Sequence, residues 1–287
     1  SSTLKKYNPK AVINFAAESH VDRSISAPDT FIETNILGTY RLLKSTLSYW
    51  EALTEKQKKE FRLLHISTDE VYGDLVKSAS PFTEENRYIP NSPYSASKAA
   101  SDHLVRAWHQ TYNLPVVTTN CSNNYGSFQF PEKLIPLFII NALSDKPLPL
   151  YGDGKQIRDW LYVDDHCDAI RVALKVGVIG ETYNIGGNTE KTNIQVAQLI
   201  CKYLDNFKPR SDKISYAEQI SFVKDRLGHD RRYAIDSSKI QKELGWKPKE
   251  TFESGMEKTI KWYLDHDEWV RNIISGDYKK WIDKHYS

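Results

Sequence analysis

The chain has 287 residues, 40% hydrophobic and 26% charged, with a formal net charge of +2. That length allows one large or two medium domains around a sizeable core. The near-neutral balance without a basic stripe argues against nucleic acid, and the longest apolar run, "LIPLFIINAL" at 134–143, is too short to span a bilayer.

In chain order, "AVINFAA" (11–17) reads as a buried strand. "NILGTYRLLKSTLSYWEAL" (35–53) reads as a helix with Leu37, Tyr40, Leu43, Leu47 and Trp50 near one face. "FRLLHIST" (61–68) is the next strand. "SPYSASKAASDHLVRAWHQTY" (92–112) is a helix capped by Ser92 with Pro93 just inside, and "PVVTTNC" (115–121) is a third strand. Strands alternating with helices imply crossover connections and a parallel sheet in an α/β fold. From about residue 126, Pro131, Pro136, Pro147 and Pro149 punctuate a loop-rich stretch whose later helices read as short and charged. The expected division is a sheet domain over 1–125, rejoined by 157–187, and a smaller domain made mainly of 126–287.

The three cysteines, Cys121, Cys167 and Cys201, are scattered without CxxC spacing, which fits reduced thiols and gives no metal site. "SSTLKKYNPK" lacks an apolar signal core, so a soluble cytoplasmic chain is expected.

Open parallel sheets bind ligands outside the carboxyl ends of their strands. "STDE" (67–70) and "TNCSNN" (119–124) both fall there. Asp and Glu are common turn residues, so the acidic pair alone could be a polar strand end. Tyr94 and Lys98 in "YSASK" lie four apart on one helix face, about 5–6 Å apart at their β-carbons. An ammonium beside a phenol favours the phenolate, which can take a proton from a hydroxyl as hydride leaves the same carbon. STDE and YxxxK together are far more specific than either alone.

These motifs resemble the extended short-chain dehydrogenase/reductases, and most closely their dTDP-glucose 4,6-dehydratase branch. The matching blocks include "AAESHVDRSI" (16–25), "FIETNILGTY" (31–40), "HISTDEVYGD" (65–74), "TNCSNNYG" (119–126), "FPEKLIPL" (130–137), "IRDWLYVDDH" (157–166), "YNIGG" (183–187) and "GHDRRYAID" (228–236). The resemblance implies an NAD-binding Rossmann-type doubly wound parallel sheet with a smaller α/β C-terminal substrate domain, a bound NAD, a nucleotide-sugar substrate (dTDP-glucose) and a homodimer. It gives Tyr94, helped by Lys98 and Thr68, the deprotonation of the sugar's 4-hydroxyl, Glu70 the 5-proton, and Asp69 protonation of the departing 6-hydroxyl. A plain reductase or epimerase needs no such acid pair. By motif position, Ala16, Ala17, Ser19, Thr34 and Asn124 would join Tyr94 and Lys98 around NAD. His20, Thr68, Asn123, Glu132, Lys133 and Leu134 would face the sugar. Pro149 and Tyr151 would meet the base, and Arg158, Asn193, Arg226 and His229 the diphosphate and ribose.

The family's opening strand, G-x-x-G-x-x-G turn and helix are not in these residues, whose first glycine is Gly38. The expected sheet is therefore N-terminally incomplete, and the chain taken alone is expected to bind NAD poorly and turn over little. Ser127 and Leu227 stand where the family pattern has Pro. Another nucleotide-sugar dehydratase, acting on a GDP- or UDP-sugar, and a non-catalytic nucleotide-sugar-binding chain remain open alternatives.

Overall fold

The computed structural model describes residues 2–276, so the last part of the expected C-terminal domain, 277–287, lies outside the described residues. Nine strands are described: β1 Ala11–Asn14, β2 Arg62–Thr68, β3 Val116–Cys121, β4 Asn123–Tyr125, β5 Leu148–Tyr151, β6 Ile157–Tyr162, β7 Thr182–Ile185, β8 Glu190–Thr192 and β9 Ile220–Val223. The helices are α1 Ser2–Tyr7, α2 Val21–Ser26, α3 Pro28–Phe31, α4 Thr39–Glu51, α5 Glu55–Glu60, α6 Pro93–Tyr112, α7 Leu134–Leu143, α8 Val163–Val176, α9 Asn193–Phe207, α10 Ser238–Leu244, α11 Phe252–Asp265 and α12 Asp267–Ile274.

The main sheet is parallel throughout, in the order β1-β2-β3-β7, with Ile13 beside Leu64, Leu64 beside Val117 and Thr119 beside Tyr183. β2 is buried along nearly its whole length, as the middle of a sheet covered on both faces must be. Leu63 turns into the layer of α4 and α6 with Leu43 and Val105, while Leu64 and Ile66 pack on Ala169, Ile170 and Ala173 of α8. This is the Rossmann-type α/β arrangement expected from the sequence. β1 is an edge strand, and it stops at Asn14 rather than residue 17, leaving Phe15 and Ala16 exposed.

A second core joins α7, α9 and α11 through Phe138, Ile139, Ile200, Leu204, Met256 and Ile260. The later helices are not short: α8, α9 and α11 have 14, 15 and 14 residues. Their charged outer faces hide apolar stripes such as Val196, Ile200 and Leu204, which this core covers. A sheet of β4, β6 and β8 and a pair β5–β9 complete the fold.

The expected helix over 35–53 also differs. Ile32–Gly38 is π-helical, and regular α geometry begins only at Thr39. Asn35 is buried there, accepting from the Glu18 N–H and donating to the Glu18 carbonyl and to Ser97 Oγ. Those bonds tie the segment after β1 to α6, and π turns of this kind recur at functional sites.

Candidate active site

Thr68 is the last residue of β2, with extended backbone, and its hydroxyl caps the short 3₁₀ turn Asp69–Tyr72 by accepting from the Glu70 N–H at 3.3 Å. The tight turn separates the adjacent acids. Asp69 is only 2% exposed, whereas Glu70 lines an open cleft. Gly73 ends the turn at φ +85, and a Cβ there would meet the Ile89 carbonyl oxygen at 2.1 Å, so the chain can leave the site this way only through glycine.

The two carboxyl groups sit in unlike fields. Asp69 Oδ1 accepts from Thr68 Oγ1 at 3.3 Å, and Oδ2 is buried without a partner among the described residues. Burial, reinforced by the charges of Glu70 and Asp159, holds the Asp69 carboxyl well above the usual range. Burial also raises Glu70, but Arg226, Arg158 and Lys133 counter it by favouring the carboxylate. Asp159, pushed up to about 6 by burial, is a further carboxyl in this field and accepts from the Thr189 N–H at 2.6 Å.

Tyr94 enters from the first turn of α6, set by the Ser92–Ser95 capping box and by Pro93. The phenol is pushed well above its ordinary value by burial and then by the Glu70 charge, while the Thr68 hydroxyl favours the phenolate. The expectation that Lys98 lowers the Tyr94 pKa does not describe this geometry. The Lys98 ammonium donates to the Ile66 carbonyl at 2.8 Å, and burial lowers its own pKa against the opposing pull of Asp102. One turn further on, Asp102 accepts from Ser67 Oγ at 2.7 Å and pairs with His65 Nε2 at 3.1 Å, which locks α6 onto β2.

The cleft has a volume of ≈ 260 Å³. Of the expected substrate residues, it is lined by His20, Asn123, Glu132, Lys133, Leu134, Pro149, Tyr151, Arg158, Asn193, Arg226 and His229, brought together from seven separate stretches of chain. Thr68 is the exception. Ser19 is the expected cofactor residue that also lines the cleft, and its carbonyl accepts from Lys133 Nζ at 2.9 Å. Ala16 and Ala17 follow the end of β1, and Thr34 sits in the π-helical turn. Asn124 lies on β4, bonded to His166 Nδ1 at 2.8 Å and to the Ser122 carbonyl.

Several residues in or beside the cleft were not anticipated. Asp22 accepts from Tyr151 Oη at 3.2 Å and from Arg226 Nη1 at 3.4 Å. Asp225 pairs with His229 Nδ1 at 2.6 Å, and burial together with Arg226 brings that histidine down to about 4. Trp160, Phe138 and Leu150 supply apolar wall. Asp22 and Asp159 do fall inside the "AAESHVDRSI" and "IRDWLYVDDH" blocks, the available signal for them.

A family model described as GDP-mannose 4,6 dehydratase matches residues 1–259. A dTDP-glucose 4,6-dehydratase of Xanthomonas campestris pv. campestris is 59% identical over 276 residues, covering 96% of this chain and 78% of the relative. The chain belongs to the dTDP-glucose 4,6-dehydratases. A second member of that family, from Escherichia coli K12, is 58% identical over 289 residues, covering 98% of this chain and 80% of its own. The crystal structure of a Streptomyces venezuelae dTDP-glucose 4,6-dehydratase with NAD bound superposes with a TM-score of 0.82 at 43% identity, over 92% of this chain and 76% of that one.

In this family fold, the donor set suits the nicotinamide end of NAD. Exposed Ala16 and half-buried Ala17 follow the carboxyl end of β1, and past the end of β3 the buried Asn123 Oδ1 has no partner among the described residues.

Proposed function

We propose that the chain converts dTDP-glucose to dTDP-4-keto-6-deoxyglucose, with NAD as a recycled cofactor. The observation that carries this reading is the Asp69–Glu70 pair: adjacent carboxyls, one buried and driven towards the acid form, the other facing the cleft beside three cations. Bound NAD would take up a hydride and give it back, and its nicotinamide charge would favour the Tyr94 phenolate. Tyr94 Oη receives the proton of the sugar's 4-hydroxyl, with Thr68 beside it and Lys98 behind. The 4-ketone so formed acidifies the 5-position, where Glu70 acts as base. Asp69 delivers its proton to the 6-hydroxyl, which departs as water. Elimination requires one acid and one base in opposite protonation states, and these two fields provide that.

Arg158, Arg226 and Asn193 would hold the diphosphate and ribose, and Pro149 and Tyr151 the base, because a guanidinium fork matches phosphate oxygens. On this reading the β1-β2-β3-β7 sheet with α6 forms the chemistry and cofactor domain, and the α7–α9–α11 core carries the nucleotide-sugar domain. The outer face of α4 and α6 supports a homodimer: Tyr40, Trp108 and Tyr112 form an aromatic strip, with Tyr40 39% and Tyr112 46% exposed. We place the activity in the cytoplasm, in the supply of deoxysugar precursors of the rhamnose type.

The test is incubation with dTDP-glucose and saturating NAD, followed by absorbance at alkaline pH, where the 4-keto-6-deoxy sugar absorbs. Its appearance, with no net NADH, supports the dehydratase. A C4 epimer in its place would refute it.

A further inference from the structure

The stripe of α6 that faces β2 carries Tyr94, Lys98 and Asp102 at intervals of four, all buried. On the dehydratase reading above, on which the activity arm of this inference rests, Tyr94 and Lys98 take part in the reaction and Asp102 does not. Yet Asp102 is 6% exposed, and a buried carboxylate is costly unless the fold uses its charge.

Both oxygens of Asp102 are committed. Oδ2 accepts from Ser67 Oγ at 2.7 Å, and Oδ1 faces His65 Nε2 at 3.1 Å. Burial keeps the His65 ring neutral, and the Asn14 amide donates to its Nδ1 at 3.2 Å, which leaves the ring proton on Nε2 to be donated to Asp102. The clamp therefore supplies neutral donors and no positive charge. Lys98 stands one turn back on the same face, at a β-carbon separation of about 5–6 Å. Among the described residues its hydrogen-bond partner is the Ile66 carbonyl at 2.8 Å, not Asp102, so two of its three N–H groups stay free. The other groups around Lys98 bring no compensating charge: the Tyr94 phenol and the Cys121 thiol are pushed up by burial, the thiol to about 12, and Asp69 is driven towards its acid form. Glu70 faces the cleft beside its own three cations. Around Asp102 stand Tyr88, raised by burial and then by the Asp102 charge, and, across a cavity, Arg87, His103 and Arg106.

We propose that Asp102 is a positioning residue, the remote counter-ion that keeps Lys98 an ammonium. The His65–Asp102–Ser67 clamp holds the carboxylate close enough to favour the charge and too fully committed to take the free N–H groups. Those stay available to the cofactor side of the site. Burial works against the ammonium, and Asp102 is the first of the groups that oppose it.

The charge of Lys98 is measurable without turnover, by nuclear magnetic resonance titration of protein carrying ¹³C at the lysine ε-carbons. The Lys98 resonance is the one missing in Lys98→Arg. Asp102→Asn keeps the side-chain shape and removes the charge, so the Lys98 midpoint should fall by about one pH unit or more, the effect of an opposite charge at this range. A purely structural clamp predicts the reverse, because a loosened α6 would hydrate Lys98 and move its midpoint up towards about 10.4. A midpoint that stays or rises in Asp102→Asn therefore overturns the counter-ion. Asp102→Glu, which restores the charge, should bring the midpoint back up. Circular dichroism melts verify that each variant is folded, and Asp102→Ser, also uncharged, decides the matter if Asp102→Asn is not. In the activity arm, the alkaline limb of kcat against pH should move down by the same interval in Asp102→Asn, while calorimetric binding of dTDP at pH 7 stays near wild type. A Lys98 midpoint that falls as expected in a protein that makes no keto sugar at any pH would refute the dehydratase reading and leave the counter-ion standing.

Discussion

The two ends of the cleft handle charge in opposite ways. At the chemistry end, Asp69 Oδ2 and Glu70 Oε2 are buried without partners among the described residues, and burial pushes both carboxyls towards the acid form. At the other end, carboxylates are engaged by neighbours: Asp22 accepts from Arg226 Nη1 and Tyr151, and Asp225 pairs with His229, although Arg226 Nε is buried without a partner among the described residues. Orphaned buried carboxyls cost stability, and they persist where a reaction uses their displaced pKa values. On the proposed reading, Asp22 holds Arg226 in place until a substrate diphosphate takes over from it. One end stores reactivity and the other stores affinity.

Substitutions should separate the two ends. The largest effect is expected from Glu70→Gln, which removes the proposed base. Product formation should fall by about 10²–10⁴-fold, while calorimetric binding of dTDP stays near wild type. Arg226→Ala should do the reverse. Losing a charge-assisted contact of about 1.5–3 kcal/mol weakens dTDP binding by roughly 10–100-fold, with a smaller change in kcat. An equal loss of kcat and binding in either variant would erase the distinction between the ends.

Asp69→Asn tests the stored cost directly. In the folded protein this carboxyl holds its proton where the unfolded chain, with a pKa of about 3.9, releases it. Its burden on stability is therefore absent below that value and grows as pH rises towards the folded pKa. Thermal melts should show Asp69→Asn more stable than wild type at pH 7 and little different at pH 3, with about 2–4 °C for each kcal/mol relieved. The smallest effect belongs to Asp22→Asn. Removing a half-exposed anion that competes for Arg226 should tighten dTDP binding by no more than a few-fold, in line with about 0.2–1 kcal/mol for such pairs. Weaker binding would instead make Asp22 a scaffold for Tyr151.

Much of the chemistry end was legible in the sequence because its signals are local. Apolar runs marked β2 and β3, Ser92 and Pro93 marked the start of α6, and the strand-end acids with Tyr94 and Lys98 pointed to the proposed reaction. The nucleotide end was only half legible. Its cations were anticipated, but their carboxylate partners were not, since Asp22 meets Arg226 across 204 residues of sequence. The π-helical turn at Ile32–Gly38 escaped for another reason: "IETNILG" carries an ordinary helical pattern, and the burial of Asn35 against Glu18 and Ser97 is decided by tertiary contact. The same holds for Lys98, whose ammonium is taken by the Ile66 carbonyl rather than directed at Tyr94.

The most direct measurement is an infrared titration of the carboxyl groups in wild type, Asp69→Asn and Glu70→Gln. At pH 7 the wild-type-minus-Asp69→Asn difference should contain a protonated-carboxyl band, and the wild-type-minus-Glu70→Gln difference a carboxylate band. Two carboxylate signatures, with no acid form at Asp69, would contradict the division of labour between the adjacent acids.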